Sequence, residues 1–279
     1  MDINQHPTGT DFPPHIPGAI NDTLLFSFRL GIGLGQRRHG RRSITPPPAQ
    51  PDGGGFSSGF SAGFRNAAAT PATGVYRASA SITTAPAGST GVEVRLPPGL
   101  VDGDLIYGAY VVDQGDLGTP SGYDARGAQG GEDPRVRTFS KISDGSDGIT
   151  IDGHPTRNTV FIMQAFRGVD QSNPFALSAP GAMTGNSSSP TMQTVTTTSA
   201  NALIVAVIGA DDEIIRSIEA PEGFTDLISR QTGVVNEAAF GAVALRRVET
   251  PGTVTGQSFS LDASASWITY SEILNAARG

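Results

Sequence analysis

From Val75 onward, short apolar stretches alternate with turn residues. Val92, Val94 and Leu96 alternate with Glu93 and Arg95, the period-two signature of a strand with one buried face. Pro97-Pro98-Gly99 ends that segment, and Asp104 to Val112 is a mostly apolar run. Arg135 to Ile142 alternates again, Gly148 to Asp152 is a short strand, and Thr159 to Phe166 is apolar and β-branched. Gln193 to Thr198 and Ala202 to Ile208 read as two strands joined through Ser199-Ala200-Asn201. Gly223 to Ser229, Ala239 to Val248, Ser258 to Asp262 and Ser266 to Leu274 complete the set. About ten short strands with frequent turn signals predict an all-β domain over residues 75–279, an antiparallel β-sandwich of jelly-roll type. No segment combines helical periodicity with a cap at each end.

Residues 1–74 follow a different pattern. Pro13-Pro14, Pro46-Pro47-Pro48, Gly53-Gly54-Gly55 and the repetitive Gly55-Phe56-Ser57-Ser58-Gly59-Phe60-Ser61-Ala62-Gly63-Phe64 do not make a core. Proline removes donors and favours extended backbone, and glycine costs entropy when ordered. This segment is expected to be an extended, largely non-globular arm. Yet it carries Phe12, Phe26, Phe28, Phe56, Phe60 and Phe64, which a solvated linker has little use for. The rings are expected to anchor the arm against a partner, the alternative being a tail folded back on its own domain. The cluster Arg37, Arg38, Arg41 and Arg42 around His39-Gly40 suits an acidic neighbour or nucleic acid, or is a solvated charge run.

Composition narrows the function. The chain has 279 residues, 36 of them glycine and 20 proline, and its charged fraction of 16% is well under the usual ~25%. There is no cysteine, so disulfides, thiolate metal sites and a cysteine nucleophile are excluded. The formal net charge of −7 argues against a general nucleic-acid-binding role. Lys141 is the sole lysine among 19 basic residues, an arginine bias that suits a GC-rich source. Met1 to Gly9 is polar and lacks a signal-peptide pattern, and Leu24 to Leu34 is too short to span a bilayer and holds Arg29 in its middle. Synthesis in a cytoplasm without a signal peptide, and no membrane insertion, are the expectation.

Residues from about 96 to 274 resemble a β-sandwich domain that recurs in phage structural and tail-fibre proteins. The shared pieces are Pro97-Pro98-Gly99-Leu100-Val101-Asp102-Gly103-Asp104-Leu105, the Pro120-Ser121-Gly122-Tyr123 turn, and Arg137 to Gly145. Then follow Ala165-Phe166-Arg167-Gly168-Val169-Asp170, Pro221-Glu222-Gly223-Phe224 and a closing strand with Trp267. The Phe-Ser-Ser-Gly-Phe repeat of the arm is similar to short repeats near attachment segments of phage tail and spike proteins. The resemblance implies an oligomeric, non-enzymatic spike or fibre of a phage-like particle or gene transfer agent. One end would dock on capsid, portal or tail subunits, and the sandwich would meet a host-surface polysaccharide. A capsid or tail cement protein without a receptor, and a glycan-degrading tailspike, are the alternatives.

There is no P-loop, and Gly31-Ile32-Gly33-Leu34-Gly35 lacks the βαβ context of a dinucleotide site. The histidines at 6, 15, 39 and 154 are scattered, which argues against a triad or a histidine metal cage. No catalytic set and no required cofactor are expected. Asp144 with Asp147, and Asp211 with Asp212, offer oxygen ligands to Ca²⁺ or are simply solvated turn residues. For glycan binding the aromatic candidates are Tyr123 in a turn-rich stretch, Trp267 and Tyr270, the last two equally readable as core.

Overall fold

The computed structural model describes residues 74–278 apart from 90–91, 114, 116–117, 128–132, 152–157, 177–180, 212–214 and 233–237. The arm phenylalanines Phe26, Phe28, Phe56, Phe60 and Phe64 and the cluster Arg37, Arg38, Arg41 and Arg42 lie outside the described residues.

The described chain is all-β. Its strands are β1 (Tyr76–Ala85), β2 (Val92–Val94), β3 (Leu105–Val112), β4 (Asp124–Gly127), β5 (Arg135–Ile142), β6 (Ile149–Ile151), β7 (Thr159–Arg167) and β8 (Met183–Ser187). They continue with β9 (Val195–Thr197), β10 (Ala202–Asp211), β11 (Ile218–Glu219), β12 (Thr225–Gln231), β13 (Ala239–Val248), β14 (Gly252–Val254), β15 (Ser260–Leu261) and β16 (Ala265–Leu274). Two five-stranded antiparallel sheets, ordered β1-β7-β3-β5-β4 and β12-β13-β10-β16-β8, form a β-sandwich. Between them pack Leu105, Tyr107, Val111, Ile162 and Phe166 from one sheet against Val205, Val207, Val243, Ile268 and Leu274 from the other.

Both sheets are also covered on their outer faces. Ile106, Tyr110, Phe139, Phe161 and Met163 pack with Val94 of the β2–β6 ribbon outside the first sheet. Ile204, Ala206, Phe240, Phe259 and Trp267 pack with Val195 and Val254 of the β9–β14 ribbon outside the second. A strand with two buried faces has no polar side to alternate with. That is why β3, in which every residue is buried, reads as a continuous apolar run, as does most of β10.

The two sheets repeat one another. In chain order, β1 to β7 correspond to β8, β9, β10, β12, β13, β14 and β16. Under that correspondence β1-β7-β3-β5-β4 becomes β8-β16-β10-β13-β12, the strand order of the second sheet, and the ribbon β2–β6 becomes β9–β14. Register agrees: Leu105 lies opposite Ile142 and Phe166, as Leu203 lies opposite Arg247 and Leu274. The turn before β4 closes with the Tyr123 N–H donating to the Pro120 carbonyl at 3.1 Å, and the turn before β12 with Phe224 donating to Pro221 at 3.0 Å. Gly122 and Gly223 supply the left-handed corner, at φ of 79° and 76°. Both following strands then carry a register irregularity, between Ala125 and Gly127 and between Thr225 and Ile228. A single copy would leave one sheet face open to water, and the second copy closes it. The small β11–β15 pair has no counterpart among the described residues of the first half.

Candidate functional site

The strand ends gather two groups of polar residues at opposite ends of the sandwich. At the end where β3 begins and β5, β7 and β16 finish, Arg167 grips Asp104 through two hydrogen bonds, at 2.8 and 3.1 Å. The Phe166-Arg167-Gly168-Val169-Asp170 and Asp102-Gly103-Asp104 segments are thereby fastened together. The Asp170 carboxylate accepts from the backbone N–H groups of Ser172 and Asn173, which shapes the next turn.

Beside that turn lies a cleft of about 400 Å³, within the ~300–1,000 Å³ range of small-ligand sites. Its polar lining is Asp124, Arg126, Ser140, Lys141 and Asn173. Leu105, Ile142, Pro174 and Phe175 give it an apolar base. The Arg126 guanidinium lies over the Phe175 ring, 3.5 Å from its centroid, where cation–π attraction holds it in place. Arg126 Nη2 donates to Glu272 Oε1 at 2.8 Å, and the Tyr270 hydroxyl donates to Glu272 Oε2 at 2.9 Å. Glu272 is fully buried, and burial raises its pKa against the opposing pull of Arg126. Arg126 Nε is buried without an acceptor, while the side chain as a whole stays about a quarter exposed beside the cleft. Asn173 also lines a neighbouring depression of about 510 Å³ with Asn201, Asn275 and Arg278. A third depression, of about 620 Å³, shares Asp170, Asn173 and Arg278 with the second. The three adjoin one another through Asn173, which lines all of them.

At the opposite end, carboxylate oxygens of Asp113, Asp133 and Asp211 lie within 4.8 Å of one another. Burial first, then Asp113 and Asp211, push the Asp133 carboxyl up to about 7. Such a group shares a proton near neutrality, and its oxygens are of the type that binds a hard divalent cation.

The sequence candidates fall out as follows. Trp267 is buried in the outer core of the second sheet, its indole N–H donating to Ser187 Oγ at 3.1 Å. Tyr270 is buried in the inter-sheet core beside Ile268 and Leu274. Neither ring offers a free face for sugar stacking, because packing inside the sandwich occupies both. Tyr123 is half-buried, its ring edge-on to Phe139 at 5.5 Å, and belongs to the cover of the first sheet. Asp144 and Asp147 do converge, but on the Lys141 ammonium, which hydrogen-bonds both where a cation ligand pair was expected. Hydrogen bonds from Ser146, and then Lys141, hold the Asp144 carboxyl down to about 2. Asp211 joins Asp113 and Asp133, and Asp212 lies outside the described residues.

Sequence reasoning missed Asp124, Arg126, Glu272, Asp113 and Asp133. One signal was readable: Glu272 is a lone charge in the otherwise apolar or neutral Ser266 to Leu274 segment. A carboxylate there needs a partner from across the fold. Arg126 gave none, since β4 is too short to show a period. No family model, curated protein or solved structure matches the chain, so the likeness to phage structural proteins rests on the quoted residues alone.

Proposed function

We propose that this chain is a non-enzymatic surface component of a phage-like particle, a spike or fibre anchored by residues 1–74 that presents the sandwich to host-surface polysaccharide. The observation that carries the binding role is the row of three depressions at one end of the sandwich, all lined in part by Asn173. A polymer needs such a row, because it must be held at several units in succession. The covered sheets supply the rigid support that a groove of strand ends and turns requires.

Gly74, at the start of the described residues, lines the middle depression. The partners on this reading are capsid, portal or tail subunits, further copies of the chain, and the polysaccharide. The test is to prepare particles from producer cells lacking the chain. Intact particles that no longer adsorb to host cells are expected. Particles that adsorb normally but break open would instead mark a cement protein.

A further inference from the structure

The internal repeat provides a comparison within the molecule. Because the two halves share strand order and register, each cleft residue has an equivalent that serves the same fold position in the other half. Tyr107 lies opposite Ser140 and Gln164, as Val205 lies opposite Leu245 and Glu272. Asp124 pairs with Ser140, as Thr225 pairs with Leu245. Counting on from the matched turns, Arg126 falls at the position of Leu227, but Leu227 packs on the outer core of the second sheet whereas Arg126 turns inward to Phe175 and Glu272. Asp124, Arg126 and Ser140 of the first half are therefore Thr225, Leu227 and Leu245 in the second. The fold makes the same strands from either set. Arg126 answers the buried Glu272, whereas neither turn nor sheet requires a carboxylate at 124 or a hydroxyl at 140, so another demand accounts for those two.

The chemistry of the set indicates what it holds. Asp124 is exposed and has no ion-pair partner among the described residues, so its oxygens are free to accept. Arg126 is about a quarter exposed and is held over the Phe175 ring. Charges are already balanced: Arg126 by Glu272, and Lys141 by Asp144 and Asp147, with Asp124 adding a negative charge. An anionic ligand would gain no unpaired cation here. A neutral polyhydroxylated ligand gains an acceptor for its hydroxyl protons, a donor for its oxygens, and an apolar base of Leu105, Ile142 and Pro174 for its C–H face.

We infer that the cleft between Asp124, Arg126 and Phe175 is the subsite for a neutral saccharide unit of the polysaccharide. This rests on the attachment reading and names its contact point. The probe is polysaccharide released from host cells, cut to oligosaccharides and separated by anion exchange into neutral and acidic fractions. Binding of each to the full-length protein is measured by calorimetry. The expected result is binding of the neutral fraction, weakened about tenfold or more in Asp124→Thr, which installs the residue the second half already carries. Arg126→Gln, with folding checked by its thermal transition, should weaken it likewise. Asp133→Asn, at the far end, should bind as the parent does. Parent-like binding by both cleft variants would overturn this subsite while leaving attachment standing. Binding of the acidic fraction alone would overturn the neutral chemistry. Binding of neither fraction by the parent would overturn the attachment reading and the subsite with it.

Discussion

The residue with the most at stake is Glu272. It is fully buried, and a carboxylate there persists because Arg126 and Tyr270 satisfy it. The two partners are not equivalent. Arg126 is about a quarter exposed and can turn to water if Glu272 is neutralised, whereas Glu272 has no such escape. Glu272→Gln should therefore cost only roughly 1 kcal/mol, all the more because the equivalent position of the first half is already Gln164. Arg126→Met strands a buried carboxylate and should cost about 3–5 kcal/mol at neutral pH. That loss should shrink on acidification, because protonating Glu272 removes the unpaired charge. Denaturant titrations of both variants at two pH values check the asymmetry. Asp133 offers a second test. Its raised pKa means that the folded state holds the proton more tightly than the unfolded chain. Its contribution to stability is thus complete below the ordinary carboxylate pKa, about 4, and is lost as pH rises through about 7. Asp133→Asn should remove this loss, so the melting temperature of the variant should gain on the parent's across that window. A gap that stays constant with pH would show that the three carboxylates do not interact in this way.

At the scale of elements, the strands that sequence periodicity reveals are the long ones. Arg135 to Ile142 alternates and is β5, with those limits. Asp104 to Val112 and Ala202 to Ile208 were legible as apolar runs because ribbons cover their outer faces. Edge strands were harder. β4 and β8 are short and largely exposed, so neither burial nor length marks them. β1 alternates too weakly to stand out, since most of its residues are only half-buried. The repeat itself was hidden because the halves share a pattern of burial and turns rather than residues: Tyr107 answers Val205 and Ser140 answers Leu245. Its clearest trace in sequence is the pair of turns Pro120-Ser-Gly-Tyr123 and Pro221-Glu-Gly-Phe224. For the same reason the cleft is illegible in the sequence, since it joins the start of β3, β4, the end of β5 and residues 173–176, which only the folded topology brings together. The equivalence of the turns can be measured. Gly122→Ala and Gly223→Ala each force a side chain into left-handed backbone and should each destabilise by about 1–2 kcal/mol. A Cβ at Gly122 meets no neighbour, so its cost is that of backbone alone, whereas at Gly223 the Arg246 guanidinium must also move. Gly223→Ala should therefore be the more damaging of the two in parallel melts.

For the whole molecule, the inter-sheet core among the described residues is drawn from Val75 onward. A fragment of residues 75–279 should unfold cooperatively, with a single thermal transition, and a soluble fragment without one would place part of the core's support in residues 1–74. The arm has a separate role on this account. Burying one phenylalanine contributes ~1.5–3 kcal/mol, so Phe56, Phe60 and Phe64 together would offset much of the cost of ordering a glycine-rich segment on a partner. The triple variant Phe56→Ser, Phe60→Ser, Phe64→Ser should fold like the parent and be depleted from purified particles, as read by mass spectrometry at matched expression. The central claim is that the arm is held by the particle while the sandwich stands outside it. The most direct measurement is electron microscopy of intact particles whose copies of this chain carry a gold label on the sandwich, at exposed Val101. The account predicts gold at regular positions beyond the particle surface, in parent particles and not in those made with the triple variant. Particles free of gold while the labelled chain remains unassembled in the producer cell would contradict it.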